Sequence, residues 1–210
     1  MTPAMRALPV TIRELAGELR VPPEGRILDY GCGHSGHRRL FRGVEYVGAD
    51  LAGNPHADLE IAPEGMLPVG ADSFDAVLST QVLEHVPDPE LYLSECRRVL
   101  RPGGRLLLST HGMMVFHPSP EDYWRWTRPG LERIVRGAGF ELVRFVGVLG
   151  PASTGLFLIH LAVDRRMPQP LRLPLAILVQ ALTAIAERVS PDSHERDAMI
   201  FALVAEKPSA

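Results

Sequence analysis

Lysine is nearly missing from this chain. Lys207 is the single one among 210 residues, and the other basic side chains are all arginine. With 22 basic against 25 acidic side chains the formal net charge is −3, which leaves no electrostatic footprint for nucleic acid. The arginine excess reads as the codon bias of a high-GC bacterial genome. Cysteine is scarce too. Cys32 and Cys96 are too few for a disulfide framework and lack metal-ligand spacing, so no metal site is expected. A chain of this length buries about 70% of its unfolded surface and needs no such staples. Long apolar runs are also lacking. "GLFLIHLAV" and "LPLAILVQALTAIA" fall short of the ~18–20 residues that span a bilayer. The early arginines of "MTPAMRALPVTIREL" argue against a signal peptide. The expectation is a cytoplasmic protein without stable membrane insertion. Aromatics make up 6% of the residues, yet Tyr123, Trp124 and Trp126 crowd into one stretch.

What is present is alternation. "RILDYG", "EYVGADL", "ADLEI", "FDAVLST", "GRLLLST", "ELVRFVGVL" and "AMIFALVAEKP" read as seven short strands. Helical spacing separates several of them: "VTIRELAGEL", "PELYLSECRRVL" with Leu91, Leu93, Val99 and Leu100 on one face, and "GLERIVRGAGF". Such alternation predicts one doubly wound α/β domain over residues 1–210, with six parallel strands and one antiparallel strand in the edge region. Residues 151–190 form a helical insertion before the last strand, two apolar segments joined by "RRMPQPLRLP". In the second, Arg172, Ala176, Gln180, Thr183 and Glu187 share one face. The insertion suits a lid over a pocket, a homodimer interface or a membrane-surface element.

The glycine turn "DYGCGHSG" has the G-x-G-x-x-G spacing of a dinucleotide site at Gly31, Gly33 and Gly36. Asp29 argues against that ligand, because a carboxylate at the strand end repels a pyrophosphate. It suits a ligand that carries an ammonium and a sulfonium. The bulky "HRRLF" after Gly36 also departs from the close packing of dinucleotide folds. Asp50, ending the second strand, can accept from both hydroxyls of a ribose in either ligand.

With "LPVGADSFDAVLSTQVLEHVPDPELYLSECRRVLRPGGRLLLSTHG" and "YWRWTRPGLERIVRGAGF", this set resembles the class I S-adenosylmethionine-dependent methyltransferases over roughly residues 25–145 and the last strand. The resemblance implies S-adenosyl-L-methionine as cofactor, held by Asp29, Gly31, Cys32, Gly33, Asp50, Leu51, Glu64, Met66, Leu67, Gln81 and Val82. Two departures stand out. Ser35 occupies the third glycine site of the turn. The loop "APEGMLP" lacks the acid that meets the adenine amino group, and Glu64 is its substitute.

Methyl transfer from a sulfonium leaves the protein to bind, align and exclude water, and a base assists a hydroxyl acceptor. His111 at the end of the fifth strand, His117 beyond it and His85 in "LEHV" are the candidate bases. Tyr123, Trp124, Arg125 and Trp126 are the candidate acceptor contacts. The expected activity is methylation of a small molecule at oxygen, in secondary metabolism or glycan decoration. The acceptor atom stays open among O, N, C and S. A non-catalytic cofactor-binding protein and a macromolecule methyltransferase are the rivals, although the fourth strand lacks the Asn-Pro-Pro signature of base methylation.

Overall fold

The computed structural model describes residues 3–118, 121–164, 166–189 and 195–209. Strand β1 (Arg26–Tyr30) shows why both faces of the sheet are covered. Successive side chains of a strand point to opposite faces. Leu28 faces a layer with Val77, Leu106 and Leu203, and Ile27 faces one with Ala76, Leu78 and Leu107. Both faces are predominantly apolar, so both are roofed by helices.

The remaining strands are β2 (Glu45–Asp50), β3 (Leu59–Glu60), β4 (Phe74–Thr80), β5 (Leu100–His111), β6 (Glu141–Val148) and β7 (Ile200–Glu206). They form one sheet in the order β3-β2-β1-β4-β5-β7-β6. β1 pairs in parallel with β2 and β4, β2 with β3, and β4 with β5. β7 runs antiparallel to both β5 and β6. It therefore lies one strand in from the edge, which β6 closes.

Helices α2 (Pro89–Val99) and α3 (Arg128–Gly137) roof the first face, and α1 (Pro3–Ala16) roofs the second through Ile12 and Leu15. Asp88 caps α2 by accepting from the amides of Glu90 and Leu91 at 3.1 and 3.0 Å, ahead of Pro89. The buried stripe of α2 is Tyr92, Leu93, Cys96 and Val99. Each such side chain contributes about 1.5–3 kcal/mol by leaving water. Leu91, expected with that stripe, is 41% exposed, because Tyr92 takes its place against the sheet.

The insertion consists of α4 (Pro151–Asp164) and α5 (Gln169–Val189). Sequence runs alone fell short of a membrane span. The helix, however, takes in "QPLRLP", and its 21 residues are long and apolar enough to cross a membrane by length and composition.

Candidate functional site

Strand order reverses between β1 and β4, where β1 is followed outward by β2 on one side and β4 by β5 on the other. Ligands of open sheets bind beyond the strand ends at such a switch point. Here that place is a cavity of about 1160 Å³.

One half is built from the ends of β1 and β2. Gly31 has φ +84°, and a Cβ there would lie 2.4 Å from Val82 Cγ2. Glycine is therefore required by space as well as by backbone. Gly33 has φ +53°, and Ser35 holds φ +52° despite its side chain. The Ser35 hydroxyl donates to the His56 carbonyl at 3.2 Å, anchoring the turn where the family usually has glycine. Asp50 Oδ2 accepts from the Gly33 amide and from Asn54 Nδ2, both at 2.7 Å, and Oδ1 accepts from the Leu51 amide at 2.8 Å. A carboxylate held this way at the cavity edge can accept from vicinal ribose hydroxyls. Ile61, Ala62, Leu51 and Val82 supply apolar walls for a flat base. The arrangement fits an adenosine compound bound along a side-chain-free turn.

Gly31, Cys32, Gly33, Asp50, Leu51, Glu64, Gln81 and Val82 all line this cavity. Gln81 does so at φ +56°, with its amide donating to the Ser109 carbonyl at 2.9 Å. Three expected contacts lie off the wall. Asp29 is fully buried on the α1 side of β1, since it alternates with Tyr30. Its Oδ2 accepts from the Tyr46 hydroxyl and its Oδ1 has no partner. Burial pushes this carboxyl up to about 7. Met66 points outward, 40% exposed, from a turn closed by Gly65 and Ala62 amides. Leu67 points inward into the core, its amide donating to Glu95 Oε1 at 2.8 Å.

The other half holds the three candidate histidines. The rings of His85, His111 and His117 sit 6.0–6.3 Å apart, centroid to centroid, on the cavity wall. Behind them lies Glu84, fully buried. Its Oε2 accepts from Thr110 Oγ1 at 2.9 Å. Its Oε1 lies 3.2 Å from His111 Nε2 and 4.0 Å from His85 Nε2 without hydrogen-bond geometry to either. His111 Nδ1 is also unpartnered. Desolvation drives His111 down to about 4 and Glu84 up to about 7. Both shifts favour uncharged forms, so burial holds the pair near net neutrality with one proton between them.

Correction is needed for the aromatic loop, whose side chains do not line the cavity. The Tyr123 and Trp124 amides donate to the Glu84 carbonyl at 2.8 and 3.2 Å, and the Trp126 amide to the His111 carbonyl at 3.0 Å. Trp124 stacks on Trp126 and donates Nε1 to the Val86 carbonyl at 2.8 Å. Arg125 grips both Asp122 oxygens at 2.6 Å and the Met114 carbonyl at 2.8 Å. That contact holds Asp122 well below the usual carboxylate range. With this loop Arg125 is occupied, and the segment works as a clasp across the ends of β4 and β5. The Trp124 Nε1 bond and the stacking of the two tryptophans hold those rings away from the cavity.

The wall includes residues that sequence patterns did not single out, among them Tyr30, His37, Glu84, Met114 and Phe157. Tyr30 was legible in principle, because the strand period puts it opposite Asp29. Among the described residues of the insertion only Phe157 of α4 lines the cavity, so these helices wall it on one side. Among the described residues no group of three or more His, Cys, Asp or Glu is placed to hold a metal.

A family model described as a methyltransferase domain matches residues 5–144. The ubiquinone biosynthesis O-methyltransferase of Cereibacter sphaeroides is 38% identical over 114 residues, 47% of this chain and 45% of its own. A probable S-adenosylmethionine-dependent methyltransferase of Mycolicibacterium smegmatis is 32% identical over 144 residues, 60% of this chain and 56% of its own. The chain spans about half the length of these curated relatives. In fold it is similar to a putative methyltransferase structure from Bacillus halodurans, with TM-score 0.58 and 16% identity over 95% of this chain and all of that one. The glycine turn at a switch point, the carboxylate ending β2 and a family match across two thirds of the residues answer the question that the turn posed: the chain belongs to the S-adenosylmethionine-dependent methyltransferase family.

Proposed function

We propose that this chain methylates a hydroxyl of a small, largely apolar acceptor of phenolic type, with His111 as the base. The observation that carries the reading is the His111–Glu84 pair. An imidazole on the cavity wall is backed at 3.2 Å by a buried carboxylate oxygen that accepts no hydrogen bond. When bound, S-adenosylmethionine supplies a methyl group on a sulfonium, which departs as a neutral thioether.

The protein's part is alignment and proton removal. Asp50 holds the ribose, and the Gly31–Gly33 turn gives the amino-acid portion a backbone to lie against. Glu64 serves the adenine edge in this reading, and Asp29 acts from behind by fixing the end of β1. As the acceptor oxygen forms its bond to carbon, its proton passes to the His111 imidazole. The Glu84 carboxylate offsets the charge that appears there. His85 and His117 complete the polar end. Leu8, Met114, Phe157 and Ile200 make the opposite wall apolar. That wall favours a phenol over a sugar, and the aromatic residues that would platform a sugar lie outside the cavity. The O-methyltransferase among the relatives supports oxygen as the acceptor atom.

The test is methyl transfer from labelled S-adenosylmethionine to a panel of catechols and hydroxyquinols, followed by mass spectrometry. Turnover in the wild type should fall by about 10²–10⁴ in His111→Ala, with S-adenosylhomocysteine affinity preserved. Equal turnover in the two proteins would overturn the role of His111. Tight S-adenosylhomocysteine binding without turnover on any acceptor would favour the non-catalytic reading.

A further inference from the structure

The α4–α5 hairpin is inside out. Several of its polar side chains are turned inward, toward the seam between the two helices and its neck. Thr183 is 4% exposed, and Glu187 Oε1 accepts from the Ser153 hydroxyl and from the Gly150 amide. Apart from Phe157 and Val179, which are buried, its large apolar side chains mostly face away: Leu173 is 70% exposed, Ile177 59%, Ile185 54% and Val189 75%. Ile159 of α4 adds to the same outward surface at 65%. An exposed apolar patch of this extent needs a cover. The charges say which. Among the described residues of the hairpin, the exposed charged side chains are Arg166 at its tip and Arg188 at the far end of α5. Both acids, Asp164 and Glu187, are half-buried. Among the described residues the outer surface is therefore apolar along the middle, with an exposed arginine at each end.

We propose that this hairpin docks the protein on an anionic lipid surface. It lies in the interface with its apolar side in the acyl boundary and its arginines among the headgroups. It does not cross, although α5 has the length to do so. The end of α5 meets the start of α4 through Glu187, and the flanking strands are paired at Val148 and Ile200. The chain thus returns to the side from which it left. The docking also bears on the acceptor, and this part rests on the functional reading above. Phe157 walls the cavity while its neighbours Leu158 and Ile159 face outward. One turn of α4 thus separates the lipid from the reaction space. An acceptor carrying an apolar tail would enter from the membrane along that helix.

The experiment is vesicle co-sedimentation of the full chain, with phosphatidylcholine alone and with phosphatidylglycerol added. Light scattering and circular dichroism are recorded in parallel. Two arginines near an anionic surface contribute about 1 kcal/mol each, so binding to the charged vesicles should be roughly 30-fold tighter. Arg166→Glu/Arg188→Glu should remove that preference, and Leu173→Glu/Ile177→Glu should abolish pelleting while keeping the native dichroism. The latter variant should also methylate a water-soluble phenol at the wild-type rate, which separates failure of docking from failure of catalysis. Wild-type protein that stays in the supernatant with both vesicle types would overturn the proposal, as would pelleting that survives Leu173→Glu/Ile177→Glu. A stable dimer that this variant splits would assign the face to a second copy of the chain and overturn it equally.

Discussion

Replacing Asp29 with asparagine should stabilise the protein, and the gain should depend on pH. The carboxyl is buried with one oxygen unpartnered, and burial lifts it from 3.8 to about 7. Its folded value is thus above its unfolded one. The stability it contributes is complete below pH 3.8 and is lost as pH rises through about 7, because the unfolded chain has then given up a proton that the fold retains. Three units at about 1.4 kcal/mol each put the loss at about 4 kcal/mol by pH 8. Asparagine keeps an oxygen for the Tyr46 hydroxyl and has nothing to ionise. In a chain of this size each kcal/mol moves the melting temperature by about 2–4 °C. Asp29→Asn should therefore melt on the order of 10 °C above wild type at pH 8, and close to wild type at pH 4. Scanning calorimetry at both pH values decides it. A difference that is the same at both, or a variant less stable at pH 8, would refute the argument. A charged Asp29 in contact with the cofactor would instead show as lost S-adenosylhomocysteine affinity with no gain in stability.

Other outcomes follow from the same geometry. The His111–Glu84 pair acts as a base only after losing its shared proton, so the rate should rise with pH and level off above about 7. Glu84→Gln should flatten that profile and lower kcat more than it raises KM. Gly31→Ala forces a Cβ against Val82 at a positive φ and should cost about 2–4 kcal/mol in urea unfolding. Adding Val82→Ala should recover part of that loss. Glu187→Ala leaves the Gly150 amide and the Ser153 hydroxyl without their acceptor. It should speed hydrogen exchange in residues 150–189 while leaving the amides of β1 and β4 protected.

Strand identity and parallel pairing were readable because apolar runs bounded by turn residues leave few alternatives, and the glycine turn lines the cavity at the strand ends. The position of β7 one strand in from the edge was not readable, since it depends on pairing between segments about a hundred residues apart. Side-chain direction failed at specific places for specific reasons. Asp29 and Tyr30 are adjacent on a strand, so one had to turn from the cavity when the other met it. Met66 and Leu67 part in the same way at a turn. The aromatic loop misled because composition reports ring surface but not where the loop's backbone pairs with Glu84 and His111 place it. Glu84 gave no periodic signal; its importance lies in being buried beside His111, a contact made only when β4 and β5 align. Outward apolar faces on α5 were legible as a stripe, but that Val179 and Thr183 are its buried residues depends on packing the sequence does not show.

Because β6 and β7 are antiparallel neighbours, the insertion begins and ends at one point of the sheet. The Met199 amide donates to the Leu149 carbonyl at 2.8 Å, which closes the neck of the excursion. A two-residue hairpin turn could bridge the same gap without rerouting a strand or disturbing the glycine turn. The α4–α5 element is in that sense a detachable cassette. Exchanging it would replace the wall that Phe157 supplies, while the glycine turn and Asp50 at the ends of β1 and β2 would stay as they are.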